Sequence, residues 1–193
     1  VYDHVLPLHD ADEPDAPFAY LASRDQRQRL MVDGRAPGPW VDDLQIEHLT
    51  WKPDGTPAFR ARDQGKSRVV IGEALGPLDD DNSAPRVAAR TGAVAYVARH
   101  ADGAQLVIDR SQGPVYDEIG ELAISPDGVA AYEGKRGDQI YAVVGGKELG
   151  PYDRAMRFGF GAGGKVAFMA RRGPRWFVVV DGEEGPPSGA ITE

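Results

Sequence analysis

Cysteine is absent from this chain of 193 residues, which excludes disulfides and thiolate metal sites. No apolar run reaches the ~18 residues that a membrane-spanning helix needs, so the sequence predicts no membrane insertion. Long stretches free of glycine and proline are scarce: 24 Gly and 15 Pro make up about a fifth of the chain. That composition disfavours helices and suits short strands joined by turns. Positive charge is in deficit too. A net charge of −8 disfavours non-specific attraction to nucleic acid or anionic membranes, because phosphate neutralisation supplies most of that affinity. The common catalytic signatures are missing. The four histidines His4, His9, His48 and His100 show no metal-ligand spacing, and neither a Gly-x-Ser-x-Gly elbow nor a phosphate-cradling loop occurs.

What is present is a period. A small residue followed by an aromatic falls at Ala19-Tyr20, Ala58-Phe59, Ala95-Tyr96, Ala131-Tyr132 and Ala167-Phe168, separated by 39, 37, 36 and 36 residues. A Gly-Pro pair keeps the same beat at Gly38-Pro39, Gly76-Pro77, Gly113-Pro114, Gly150-Pro151 and Gly185-Pro186. Self-similarity at this spacing signals a repeat architecture.

The fourth repeat shows the plan of one unit. Glu121-Leu122-Ala123-Ile124 runs as strand A into Ser125-Pro126-Asp127-Gly128, where proline presets the second turn position and glycine accepts the left-handed conformation. Strand B is 129–133, the polar stretch 135–138 is the next loop, and β-branched 140–144 is strand C. Strand D carries Gly150-Pro151 and belongs at a sheet edge, since proline cannot donate to a ladder. Lys52-Pro53-Asp54-Gly55 restates the A–B turn, with weaker versions at Arg90-Thr91-Gly92 and Gly161 to Gly164. Four-stranded units of this length cannot bury both faces alone, and radial stacking satisfies them. The expectation is an all-β fold, a five-bladed β-propeller of four-stranded antiparallel blades. It forms a single domain over 1–193, with repeats near 1–39, 40–77, 78–114, 115–151 and 152–186 and a tail at 187–193. Either Val1-Tyr2-Asp3 or the tail Ala190 to Glu193 is expected to close the ring.

The segment Ser125 to Tyr132, a Ser-Pro-Asp-Gly turn leading into a short strand with an aromatic, resembles the WD40-like repeat of bacterial periplasmic β-propellers, including that of the Tol system. The elements Gly113-Pro114-Val115-Tyr116-Asp117 and Gly150-Pro151-Tyr152-Asp153 are similar to those of related bacterial repeat proteins. The resemblance implies the propeller and a role in docking, carbohydrate binding or, less often, catalysis. It hands over no catalytic residue. With the absence of cysteine, it points to a periplasmic or extracellular setting.

Charge follows the repeat. The B–C loops hold 12 of the 22 Lys and Arg residues, among them Arg62, Arg99, Arg136 and Arg172, and the D–A links carry Asp3, Asp42, Asp80, Asp117 and Asp153. On the binding reading, these arginines and Trp40, the tryptophan expected to be most exposed, form a face for a protein or for an anionic or carbohydrate ligand, without a cofactor. The plainer reading makes the same charges surface ion pairs worth ~0–1 kcal/mol each. The five aspartates either converge on a hard cation such as calcium, with 79–82 the densest cluster, or hydrogen-bond their own turns. A glycosidase-like propeller hydrolase, calcium-assisted and with a carboxylate pair at the channel mouth, is the alternative to a non-catalytic scaffold. His4 beside Asp3 and His48 beside Glu47 are its acid–base candidates. Trp51 is expected in the core and Trp176 half exposed.

Overall fold

A computed structural model describes residues 3–7, 18–25, 27–36, 40–42, 45–63 and 65–188, with the backbone alone at Val5, Pro7, Asp42 and Asp63. Gly38-Pro39, the acidic stretch 10–17, Asp43, His9, and, of the two segments proposed for ring closure, Val1-Tyr2 and the whole tail Ala190 to Glu193 lie outside the described residues.

The chain divides into two compact units, 1–85 and 86–193. Both are built from antiparallel sheets in simple up-and-down order. In the first unit, β1 (His4–Pro7), β2 (Ala19–Arg24), β3 (Arg27–Val32) and β4 (Val41–Asp42) form the first sheet. The second is β5 (Gln45–Trp51), β6 (Pro57–Asp63), β7 (Lys66–Ile71) and β8 (Ala74–Leu75), followed by the short β9 (Asp81–Asn82). The second unit holds the path β10 (Arg86–Val87), β11 (Val94–His100), β12 (Gly103–Ile108), β13 (Ser111–Tyr116). It continues with the sheet β14 (Glu118–Ile124), β15 (Ala130–Arg136), β16 (Gln139–Val144), β17 (Lys147–Tyr152). The last sheet is β18 (Arg154–Phe160), β19 (Val166–Arg172), β20 (Arg175–Val180), β21 (Glu183–Glu184).

The sequence period reappears as backbone chemistry. At the third turn of every sheet one N–H reaches back to the first residue of, or the residue just before, the second strand. The five bonds are Asp33 to Phe18, Gly72 to Pro57, Asp109 to Val94, Gly145 to Ala130 and Asp181 to Val166, all 2.8–3.0 Å. The donors keep the spacing 39, 37, 36 and 36. Each has positive φ, between 47° and 57°, as a two-residue hairpin turn twisted to match its strands requires. Two sheets use glycine there. The other three use aspartate, whose Oδ1 accepts from the N–H of Phe18, Val94 or Val166 at 2.9–3.0 Å, so a local side-chain bond offsets the left-handed backbone.

The next turn residue is Gly34, Gly146 or Gly182 in three sheets, at φ 74° to 88°, but Arg110 at φ 82° in the third. Arg110→Gly is therefore expected to raise stability by about 1 kcal/mol by relieving a side chain held in the left-handed region. Urea denaturation of the two proteins reads this directly, and an unchanged midpoint would show that the turn carries no strain.

The Ala-aromatic pair explains the layering. Adjacent strand residues point to opposite faces, and Ala131 and Tyr132 are both buried. Tyr132 joins the apolar cluster shared with the third sheet, around Val97, Leu106 and Leu122, while Ala131 joins the one shared with the fifth, around Phe158, Phe168 and Val179. The fourth sheet is covered on both faces. In the first unit, Leu21, Leu30, Val41, Phe59 and Val70 form one cluster, and Trp51, expected in the core, packs half-buried against it.

The strands run further than charge suggests. Residues 135–138 read as a loop in the sequence, yet Lys135 and Arg136 are the last rungs of β15, with Arg136 opposite Gln139. The turn needs two residues only, so the ladder continues beneath the polar side chains. At the same end β13 and β17 extend past Gly-Pro to Tyr116 and Tyr152, leaving a single aspartate before the next strand.

Candidate functional site

The arginines expected to face a ligand are already engaged. Arg62 Nε lies 3.2 Å from Glu47 Oε1. Arg60 bonds the other oxygen of Glu47 and reaches Asp81 Oδ1 at 3.3 Å, and the Arg60 bond, with Arg62 beside it, holds the Glu47 carboxyl below its usual range. Arg99 sits half-buried in β11 opposite Ala104. Arg136 stacks 4.4 Å from the centre of the Tyr116 ring and pairs with Glu148 at 2.8 Å. Arg172 lies 4.7 Å over Tyr152 and grips Glu184 with both terminal nitrogens, at 2.8 and 2.7 Å.

These last two groups are one device repeated, since Tyr116/Arg136/Glu148 and Tyr152/Arg172/Glu184 are each offset by 36 residues. In both, the tyrosine ends one sheet's outer strand and lodges against the sheet that follows. The Tyr116 hydroxyl donates to Glu148 Oε1 at 2.6 Å. Burial, reinforced by that carboxylate, pushes the Tyr116 phenol far above its usual pKa, and the same hydrogen bond, joined by Arg136, holds Glu148 low. Charge at this end therefore fastens sheet to sheet.

The aspartates have the turn-capping geometry. The N–H groups of Asp25, Gly137 and Gly173 donate to Oδ2 of Asp3, Asp117 and Asp153 at 3.1, 2.6 and 2.6 Å. The N–H of each of these three aspartates in turn bonds Ser23, Lys135 or Arg171 at 2.8 Å. Asp80 lies 3.4 Å from Lys66. Its neighbour Asp79 is buried in a place equivalent to Tyr116 and Tyr152, bridged to Ser67 by two backbone bonds. Asp42 stands in β4 opposite Arg27, and its side chain lies outside the described residues. Among the described residues no group of three or more His, Asp or Glu side chains could hold a metal ion.

Trp40 is half-buried, with Arg29 5.1 Å over its ring and Arg27 bonding its carbonyl at 3.1 Å. With Arg24, Asp25 and Arg27 it lines a cleft of only 190 Å³. Trp176 is half-exposed, 5.8 Å from Arg171.

A larger concavity, which no sequence motif marks, lies between the first two sheets at the end that carries the A–B and C–D turns. Its volume is about 830 Å³. Val32, Pro57 and Ile71 form its apolar floor, and Asp33, Arg35, Lys52, Asp54, Thr56 and Glu73 stand around it. Asp33 is occupied by the N–H of Phe18. Asp54 is occupied by the N–H of Thr56 at 2.9 Å, with Lys52 at 3.6 Å, and the Thr56 bond holds its carboxyl below the usual range. Arg35 and Glu73 are exposed, and their side chains bond nothing among the described residues.

The second unit contains the equivalent groove, between the third and fourth sheets. It measures 420 Å³ and places Ser111 where Arg35 stands, Val129 where Thr56 stands and Gly146 where Glu73 stands. The repeat thus supplies its own control. The backbone makes the groove, and of these two copies only the first sets Arg35, Lys52 and Glu73 on its lining.

No family model matches the chain, and no curated protein is similar to it in sequence. The column of Arg35 holds Ala74, Ser111, Lys147 and Glu183 in the other sheets, and that of Glu73 holds Gly34, Arg110, Gly146 and Gly182, so neither charge stands out in the sequence until the strand register places it on the groove.

Proposed function

We propose that the five sheets are the blades of a five-bladed β-propeller of the WD40-like kind, and that the protein is a non-catalytic binding module. Its site is the groove between the first two sheets, and its ligand is a segment of a partner protein carrying both a basic and an acidic side chain. The observation that carries this reading is the pair Arg35 and Glu73, charged, exposed and bonded to nothing among the described residues, on an 830 Å³ concavity whose equivalent in the second unit is smaller and lined by uncharged residues. Arginine and glutamate side chains lose entropy when they bind, and a peptide offering the complementary charges over an apolar floor repays it. The identical strand order of the sheets and their turns at 39, 37, 36 and 36 residues support the propeller.

The test is a titration of isotopically labelled protein with short synthetic peptides containing Lys or Arg together with Asp or Glu, followed by amide resonances. Shifts are expected at 32–35, 52–57 and 71–73. They should disappear in Arg35→Glu and in Glu73→Lys. Shifts confined to Arg24, Asp25, Arg27 and Trp40 would move the site to the opposite end of the sheets and overturn the assignment.

A further inference from the structure

A second binding feature lies on the first strands of the second and fifth sheets. Both β5 and β18 carry a bulge at the same point: pairing slips between Glu47 and Thr50 in one and between Met156 and Gly159 in the other. The residue after the last regular rung is His48 at φ 54° in β5 and Arg157 at φ 58° in β18. Neither is the glycine, asparagine or aspartate that tolerates this conformation, so each bulge keeps a left-handed residue at a cost of order 1 kcal/mol. Bulges re-aim backbone groups out of the ladder. At Arg157 the re-aimed N–H is used: it donates to Glu121 Oε2 of the adjacent sheet at 2.7 Å. At His48 the conformation is the same and the residue is exposed, yet no side-chain acceptor meets its N–H among the described residues.

We infer that the His48 bulge is a carboxylate-binding site, which holds one carboxylate oxygen on its backbone N–H as the Arg157 bulge holds that of Glu121. The imidazole of His48 stands beside this N–H, while the guanidinium of Arg60, opposite Glu47 in the same ladder, is spent on Glu47 and Asp81, so the backbone N–H is the donor on which the inference rests. The inference is independent of the groove between the first two sheets. Its precedent is the filled site in the same molecule. Two sources can supply the carboxylate, an acidic side chain of a partner or this chain's own Asp10, Asp12, Glu13 and Asp15.

Amide proton shifts separate these outcomes, because a carboxylate acceptor moves its donor downfield. In Glu121→Ala the Arg157 amide should move upfield, which calibrates the effect. Titrating wild-type protein with sodium acetate against sodium chloride at equal ionic strength should give a saturable downfield shift at His48 if the site is open. If the chain's own acids fill it, the His48 amide will start downfield, ignore acetate and move upfield when those four residues are neutralised to Asn or Gln. An Arg157 amide indifferent to loss of Glu121, or a His48 amide that responds neither to acetate nor to the neutralisation, would overturn the proposal.

Discussion

Replacing Tyr116 by alanine is expected to destabilise the protein by about 3–5 kcal/mol, the range for deleting a large buried aromatic. The ring is almost fully buried, packs edge-on against Tyr132 at 5.8 Å and carries the Arg136 guanidinium on its other side. Its removal opens a cavity between the third and fourth sheets and strips two partners at once. Tyr116→Phe is expected to cost only ~1 kcal/mol, since Glu148 keeps Arg136 at 2.8 Å and stays partly solvated. Denaturant midpoints of the three proteins test the division. Equal losses in the two variants would mean that the hydroxyl, not the ring, fastens these sheets. The same contrast should appear at Tyr152, where Phe168 takes the place of Tyr132 at 6.1 Å.

The second large effect is expected at Gly134. A Cβ at this position would lie 2.6, 2.7 and 3.0 Å from three atoms of the Tyr116 ring, well inside van der Waals contact. The ring has nowhere to go, being held by Tyr132, Arg136 and Glu148. Gly134→Ala should therefore cost about 1–3 kcal/mol through overpacking. The equivalent position of the fifth sheet is Ala170, fully buried, which shows that the column accepts a methyl where the neighbouring ring is set differently. In the double variant Gly134→Ala, Tyr116→Ala the losses should be less than additive by more than ~0.5 kcal/mol, because the truncated ring leaves space for the methyl. Additive losses would place the strain of Gly134→Ala in the backbone of β15 instead.

Which features were legible in the sequence follows from the range of the interactions that make them. The Ser-Pro-Asp-Gly turn forms as read: Gly128 N–H bonds the Ser125 carbonyl at 3.0 Å and Val129 N–H bonds its hydroxyl at 3.0 Å. All participants lie within four residues, so no tertiary context is needed. Aspartate in the link before each sheet was legible as a turn former for a similar reason, and Asp117 and Asp153 behave so. Asp79 misled, because three consecutive aspartates look alike in a sequence. One residue's displacement along a strand reverses the face, and it separates a buried Asp79 from an Asp80 paired with Lys66. Arg136 and Arg172 misled likewise. A charged strand end resembles a loop until the partner rung is known.

The amino-acid sequence by itself determined the all-β class, the period of 36 to 39 residues, the turns and the alternation that buries Ala131 and Tyr132 on opposite faces, since each rests on neighbours a few bonds apart. Only the tertiary structure decided which charges are spent and which remain. Arg136 meets Glu148 and Tyr116 because two sheets come together there. Arg35 and Glu73 stand exposed on a groove, and among the described residues nothing bonds their side chains. Ion pairing depends on distances of a few ångströms between segments tens of residues apart, and those distances are set by ladder register and sheet packing, which no local pattern encodes.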